Sequence, residues 1–135
     1  MKRILKITAF ILIISNSIIY GQTKTNSVTP PVVTQKNNDA VFRLYQTVNI
    51  FTFIKLNTRT GQMWQIQHHT DEEKRFETYL NPKSLVPIEK EQNGRFTLYP
   101  TLNNYTFLLL DQIDGKTWQV QWSTKGEERF ISPIE

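Results

Sequence analysis

The chain repeats itself at a spacing of 54 residues, and that repeat restricts it to folds that can be built twice. Phe42 to Leu80 aligns with Phe96 to Ile134 without a gap for most of its length. Phe42-Arg43-Leu44-Tyr45 meets Phe96-Thr97-Leu98-Tyr99, Thr52-Phe53 meets Thr106-Phe107, and Gly61 meets Gly115. Trp64-Gln65-Ile66-Gln67 meets Trp118-Gln119-Val120-Gln121, and Glu73, Arg75 and Phe76 meet Glu127, Arg129 and Phe130. Pro87-Ile88-Glu89 also resembles Pro133-Ile134-Glu135, which places an eight-residue insertion around Thr78 to Leu85 in the first copy.

Each copy reads as strands. Phe51 to Leu56 and Tyr105 to Leu110 are rich in the branched and aromatic residues that suit a pleated sheet. Trp64 to His68 and Trp118 to Trp122 alternate with period two, so Trp64 and Ile66 share one face while Gln65 and Gln67 share the other. Asn49 and Asn103-Asn104 mark a first turn, and Thr70-Asp71 and Thr124-Lys125-Gly126 a third. Between them, Thr58 to Gly61 and Gln112 to Gly115 read as hairpin loops whose glycine supplies a positive φ. No segment outside the N-terminal leader has helical periodicity. The expected fold is all-β: two tandem four-stranded antiparallel meanders, packed as a small pseudo-twofold barrel or sandwich. Thr106 to Leu110 is apolar on both faces and is expected to be covered on both. Its partner strand has Lys55 where Leu109 stands, so the first copy is expected to be the more exposed.

Ahead of the repeat lies a leader. Lys2, Arg3 and Lys6 precede the apolar run Ile7 to Ile14, and Ile18 to Tyr20 extends it to the small residue Gly21. This is the order of a secretory signal, and the run is too short and too interrupted to span a bilayer as an anchor. No cysteine exists for lipidation, for a disulfide or for thiol chemistry. The division is therefore a signal at 1–21, a Thr-, Asn- and Pro-rich leader at 22–40, and a duplicated domain at 41–135, with copy one at 41–89 and copy two at 95–135. The expected location is periplasmic or extracellular, with no membrane anchor after cleavage. Without residues 1–21, thirteen basic residues face twelve acidic ones, and their signs are mixed along the chain. Nucleic acid, which requires a basic stripe, is not an expected partner.

No residues announce catalysis, a cofactor or a metal. His68 and His69 are adjacent in a strand and point to opposite faces, which prevents both from serving one ion. Asp111 and Asp114 bracket a hairpin and read as turn caps rather than as a calcium loop. Glu72-Glu73 and Glu127-Glu128 each adjoin a basic residue in a turn. Trp64 and Trp118 are expected in the core. Gln65, Gln67, Gln119 and Gln121 lie on the opposite face, and they, together with Trp122 and His68 at the strand ends, are the residues of a possible ligand surface. Trp122 is expected to be exposed because its counterpart is His68.

One motif resembles a known one. Asp111-Gln112-Ile113-Asp114-Gly115-Lys116-Thr117-Trp118 is similar to the D-x-x-x-G-K-x-x-W hairpin of quinoprotein propeller blades, one residue short before the tryptophan, and Asn57 replaces the aspartate in the first copy. Two copies imply neither a propeller nor a quinone. The pattern also resembles short exported proteins of Gram-negative bacteria with repeated D-x-x-x-G-x-x-W β-hairpins, which implies export and an all-β fold. The functional expectation is an exported, non-catalytic binding or interaction module of the bacterial cell envelope. Its partner would be a protein, a glycan or a cell-wall component. The alternative is a small envelope enzyme with its site between the two copies.

Overall fold

The computed structural model describes residues 39–135. The signal at 1–21 and all but the last two residues of the leader lie outside the described residues. Eight strands form two four-stranded antiparallel meanders. The first sheet holds β1 (Phe42–Gln46), β2 (Thr52–Asn57), β3 (Met63–Gln67) and β4 (Phe76–Asn81), in that order. The second holds β5 (Phe96–Pro100), β6 (Thr106–Asp111), β7 (Thr117–Gln121) and β8 (Phe130–Ile134). The sheets are open and packed on one another; they do not close into a barrel.

The duplication extends to individual hydrogen bonds. In the first turn of each copy a threonine hydroxyl, Thr47 or Thr101, donates to the carbonyl of Thr52 or Thr106. The side-chain oxygen of Asn49 or Asn103 accepts from the N–H two residues on, at 2.9 Å in both copies. These local bonds let the chain reverse without leaving backbone groups unpaired. In the second turn Gly61 and Gly115 take φ of 79° and 71°. Their N–H groups donate to the carbonyls of Asn57 and Asp111, both at 2.9 Å. A single 3-10 turn follows each third strand, at Glu72–Lys74 and Gly126–Glu128. A third, at Ile88–Lys90, lies in the connection between sheets.

The expected insertion is not there. Thr78 to Asn81 continues β4 as Ser132 to Ile134 continues β8, so the copies correspond to the end of the strand but for one residue. The likeness of Pro87-Ile88-Glu89 to the C-terminus has no structural counterpart, because residues 87–89 lie in the inter-sheet connection. The copies do differ by a bulge. Met63 pairs with Asn81 and Trp64 with Tyr79, which leaves Leu80 unopposed and buried. The connection closes back on the first sheet. Leu85 lies under Gly61, where an added Cβ would meet its Cδ1 at 2.8 Å. Gly61 is thus held by a close approach as well as by its φ.

The larger departure concerns which faces meet. We call the face carrying Trp64 or Trp118 the front and the face carrying Gln65 or Gln119 the reverse. The second sheet buries its front: Phe96, Leu98, Phe107, Leu109, Val120 and Trp122 are in the core, with Trp118 and Ile131 packed against it. The first sheet buries its reverse: Ile54, Leu56, Met63 and Leu80, with Tyr45 alongside. A twofold axis would bury the same face of each copy. The copies are instead packed front to reverse, and the expected pseudo-twofold is replaced by a heterologous contact.

Electrostatics and burial explain the choice. Where the second sheet's front has Leu109, Trp122 and Ile131, the first sheet's front has Lys55, His68 and Glu77. Turning that face inward would desolvate the Lys55 and Glu77 charges, at several kcal/mol each. The reverse face gives its roughly 1.5–3 kcal/mol per buried apolar side chain without that cost on its inner strands. The reverse face offers Ile54, Leu56 and Met63 on its inner strands, and its cation Arg43 stands on the edge strand β1.

This arrangement predicts opposite consequences for two tryptophans on the fronts of the two sheets. Trp122→Ala should lower stability by about 3–5 kcal/mol, as large-to-small core changes do. Trp64→Ala removes surface ring contacts and should cost only about 1–2 kcal/mol. Urea denaturation checks both. A larger loss at Trp64 than at Trp122 would place the first sheet's front in the core.

Candidate functional site

The first sheet's front is an aromatic surface that the packing leaves facing solvent. Leu44, Lys55, Trp64 and Tyr79 lie side by side across the four strands. Phe53 and Ile66 form the next row. Phe42, Leu44 and Tyr79 are 54%, 51% and 58% exposed. The Trp64 ring is the hub: Phe42 meets it edge-on with centroids 6.2 Å apart, and Tyr79 lies tilted against its other side at 5.7 Å. Lys55 places its Nζ 4.7 Å from the Trp64 ring centroid and pairs with Glu77 at 2.5 Å. The rings are thereby held in position, and the one lysine of the face is neutralised where it stands. Phe42, Arg43, Leu44, Lys55 and Ile66 line a shallow groove of about 520 Å³ at its edge. Such a surface suits docking of another apolar surface, not acid–base chemistry.

The glutamines divide. Gln65 is fully buried, and its Nε2 donates to the Ser123 carbonyl of the other sheet at 3.1 Å. It is an inter-sheet tie and cannot be part of a ligand surface. Gln67 accepts from the Thr52 hydroxyl at 2.8 Å, and Gln121 donates to the Glu128 carbonyl at 2.9 Å. Gln119 lies on the second sheet's reverse face, beside Leu108 and Ser132. Trp122, expected to be exposed, is 2% exposed and donates its Nε1–H to the Asn104 carbonyl at 3.1 Å. Its buried position follows from the second sheet's front being the one turned inward. Trp118 packs against the core as expected, whereas Trp64 packs on the solvent side. His68 stacks near Phe51 and Phe53 and its Nε2 lies 2.9 Å from the Ile50 carbonyl. The His69 Nδ1 accepts from the Asp71 N–H at 3.0 Å. The two histidines thus serve different local turns. No cluster of three metal-ligating side chains occurs among the described residues.

A second polar assembly went unrecognised in the sequence. Arg95 is almost fully buried and donates to Asp111 Oδ2 through Nη2 at 2.7 Å and Nε at 3.1 Å. Its Nη2 also reaches Asp114 at 2.6 Å, and its Nη1 the Lys90 carbonyl at 2.9 Å. Asp111 Oδ1 accepts from the N–H groups of Ile113 and Asp114. Asp111 caps the turn as expected, whereas the Asp114 side chain caps nothing; both carboxylates anchor a buried cation that pins the inter-sheet connection to the second hairpin. In the first copy the corresponding residues are Val41 and Asn57, and the ion pair has no equivalent there.

Burial pushes the Asp111 carboxyl up. The Arg95 hydrogen bond, the two backbone N–H groups and the Arg95 charge together outweigh it, so its pKa lies below the usual carboxylate value. A lowered folded pKa means that the pair's stabilisation is complete above the unfolded carboxylate pKa, about 3.9. It is lost as pH falls through the folded value. Asp111→Asn should therefore destabilise the fold at pH 7, by at most about 3–5 kcal/mol, because it leaves the buried Arg95 with only the partly exposed Asp114 as its counter-charge. The difference in Tm between parent and variant should shrink as pH is lowered below about 4. A difference unchanged down to about pH 2 would contradict this assignment. No family model, curated protein or solved structure matches this chain, and its site is defined by its own geometry.

Proposed function

We propose that this protein is an exported, non-catalytic interaction module of the bacterial cell envelope, working through the front face of its first sheet. The observation that carries the reading is the Phe42–Trp64–Tyr79 cluster, pre-ordered on an open sheet face and facing water. Such rings add contact area at little entropic cost, because their neighbours already hold them in place. The basic, apolar, small-residue order of residues 2–21 supports export. The space between the copies, where an enzyme site was the alternative, is filled by core side chains and by the Gln65–Ser123 bond. The proposed partner is accordingly an apolar protein surface rather than a small substrate.

The full chain, expressed with its own leader, should be recovered starting near Gln22 or Thr23 by mass spectrometry, and it should sediment with the envelope. A variant carrying Leu44→Glu and Tyr79→Ser should fold, because both residues are exposed, and should move to the soluble exported fraction. Identical fractionation of the two proteins would refute the role of this face, and intact Met1 in the cytosol would refute export.

A further inference from the structure

We propose that the partner of this face is the reverse face of the second sheet in another copy of the same chain, so that molecules stack head to tail. The inference rests on the interaction-module reading and names its partner.

Inside one molecule the second sheet's front sits on the first sheet's reverse. Each half of that contact has an unused duplicate. The first sheet's front repeats the inward-facing front of the second: Phe42, Leu44, Phe53, Trp64 and Ile66 stand where Phe96, Leu98, Phe107, Trp118 and Val120 pack against the core. The second sheet's reverse repeats the inward-facing reverse of the first: Tyr99, Leu108, Leu110 and Gln119 stand where Tyr45, Ile54, Leu56 and Gln65 do. Tyr99 and Leu108 are 50% and 39% exposed. This also accounts for the composition of β6. Its residues are apolar on both faces, as a doubly covered strand requires, yet within one molecule Phe107 and Leu109 are covered while Leu108 is exposed.

The polar tie is duplicated too. The Ser123 carbonyl accepts from Arg129 Nε at 2.8 Å and, with its second lone pair, from Gln65. The equivalent carbonyl, of His69, is oriented by the equivalent arginine, Arg75, at 2.6 Å. A carbonyl oxygen has two lone pairs, and in the stack Gln119 of the next molecule stands where Gln65 stands within one. The Lys55 and Glu77 charges, where the internal contact has Leu109 and Ile131, already neutralise each other and make this contact weaker than the internal one. Because the two surfaces differ, the contact is heterologous, and it produces a ring or an open stack according to its rotation.

Sedimentation velocity on the purified exported protein, up to about 100 μM, tests this together with two single variants. The parent should form species larger than a monomer as concentration rises. Leu44→Glu blocks only the first sheet's front and Leu108→Glu only the second sheet's reverse, so each alone should remain a monomer of unchanged Tm. Mixed, they should form a 1:1 dimer and nothing larger, because each supplies the surface the other has lost. If either variant fails to fold, Tyr79→Ser or Tyr99→Ser replaces it on the same face. A parent that stays monomeric would overturn the proposal while leaving the fractionation result to stand by itself. Leu108→Glu dimerising without its partner variant would overturn it in favour of a front-to-front pair.

Discussion

The structure depends on one contact, the packing of the reverse face of one meander against the front face of the next. A single four-stranded meander has a greasy face and no means of burying it. Here Ile54, Leu56 and Met63 meet Phe107, Leu109, Val120 and Trp122, and these side chains are almost wholly removed from solvent. At roughly 1.5–3 kcal/mol for each buried apolar side chain, this layer is the main source of cohesion in a domain of this size. Its direction follows from a few substitutions between otherwise similar copies. Lysine, histidine and glutamate on the first sheet's front keep that face out of the core.

Polar groups then fix the geometry. Gln65 reaches across the layer to Ser123, the Tyr45 hydroxyl lies 3.2 Å from the Thr97 hydroxyl, and the Phe96 N–H donates to the Thr58 carbonyl at 2.7 Å. Such bonds add little net stability, about 0.5–1.5 kcal/mol each, but they are satisfied only in one register of sheet on sheet. The buried Arg95 does the same for the connection, tying Lys90, Asp111 and Asp114 together. A functional consequence follows. Because the layer is directional, it leaves one unlike face open at each end of the molecule, and the aromatic end is the candidate site.

Much of the fold was legible because it was written twice. The eight strands, the glycine turns and the asparagine turns come directly from the repeat and from period-two alternation. What alternation cannot tell is which of two faces is buried when both carry apolar residues. In β3 the front offers Trp64 and Ile66, the reverse Met63, Gln65 and Gln67, and size favoured the tryptophan side. The deciding signal was Lys55 with His68 and Glu77, three polar residues on one face that become adjacent only after strand pairing. Gln65 read as a surface residue because a fully buried amide is uncommon; its burial depends on a carbonyl 58 residues away. Arg95 was missed for the same reason, since its partners lie 16 and 19 residues on and belong to another turn. Trp122 was misplaced by assuming that equivalent residues of the two copies share an environment, which front-to-reverse packing forbids.

The central claim is the identity of the two faces that meet, and proximity between assigned methyl and aromatic protons measures it directly. On the Leu44→Glu protein, held monomeric, nuclear Overhauser effects should connect the Ile54 and Leu56 methyls with the rings of Phe107 and Trp122. The Ile66 methyls should show none to the second sheet. Effects from Ile66 to Phe107 and Val120, with none from Ile54, would mean that the copies meet front to front, contradicting front-to-reverse packing.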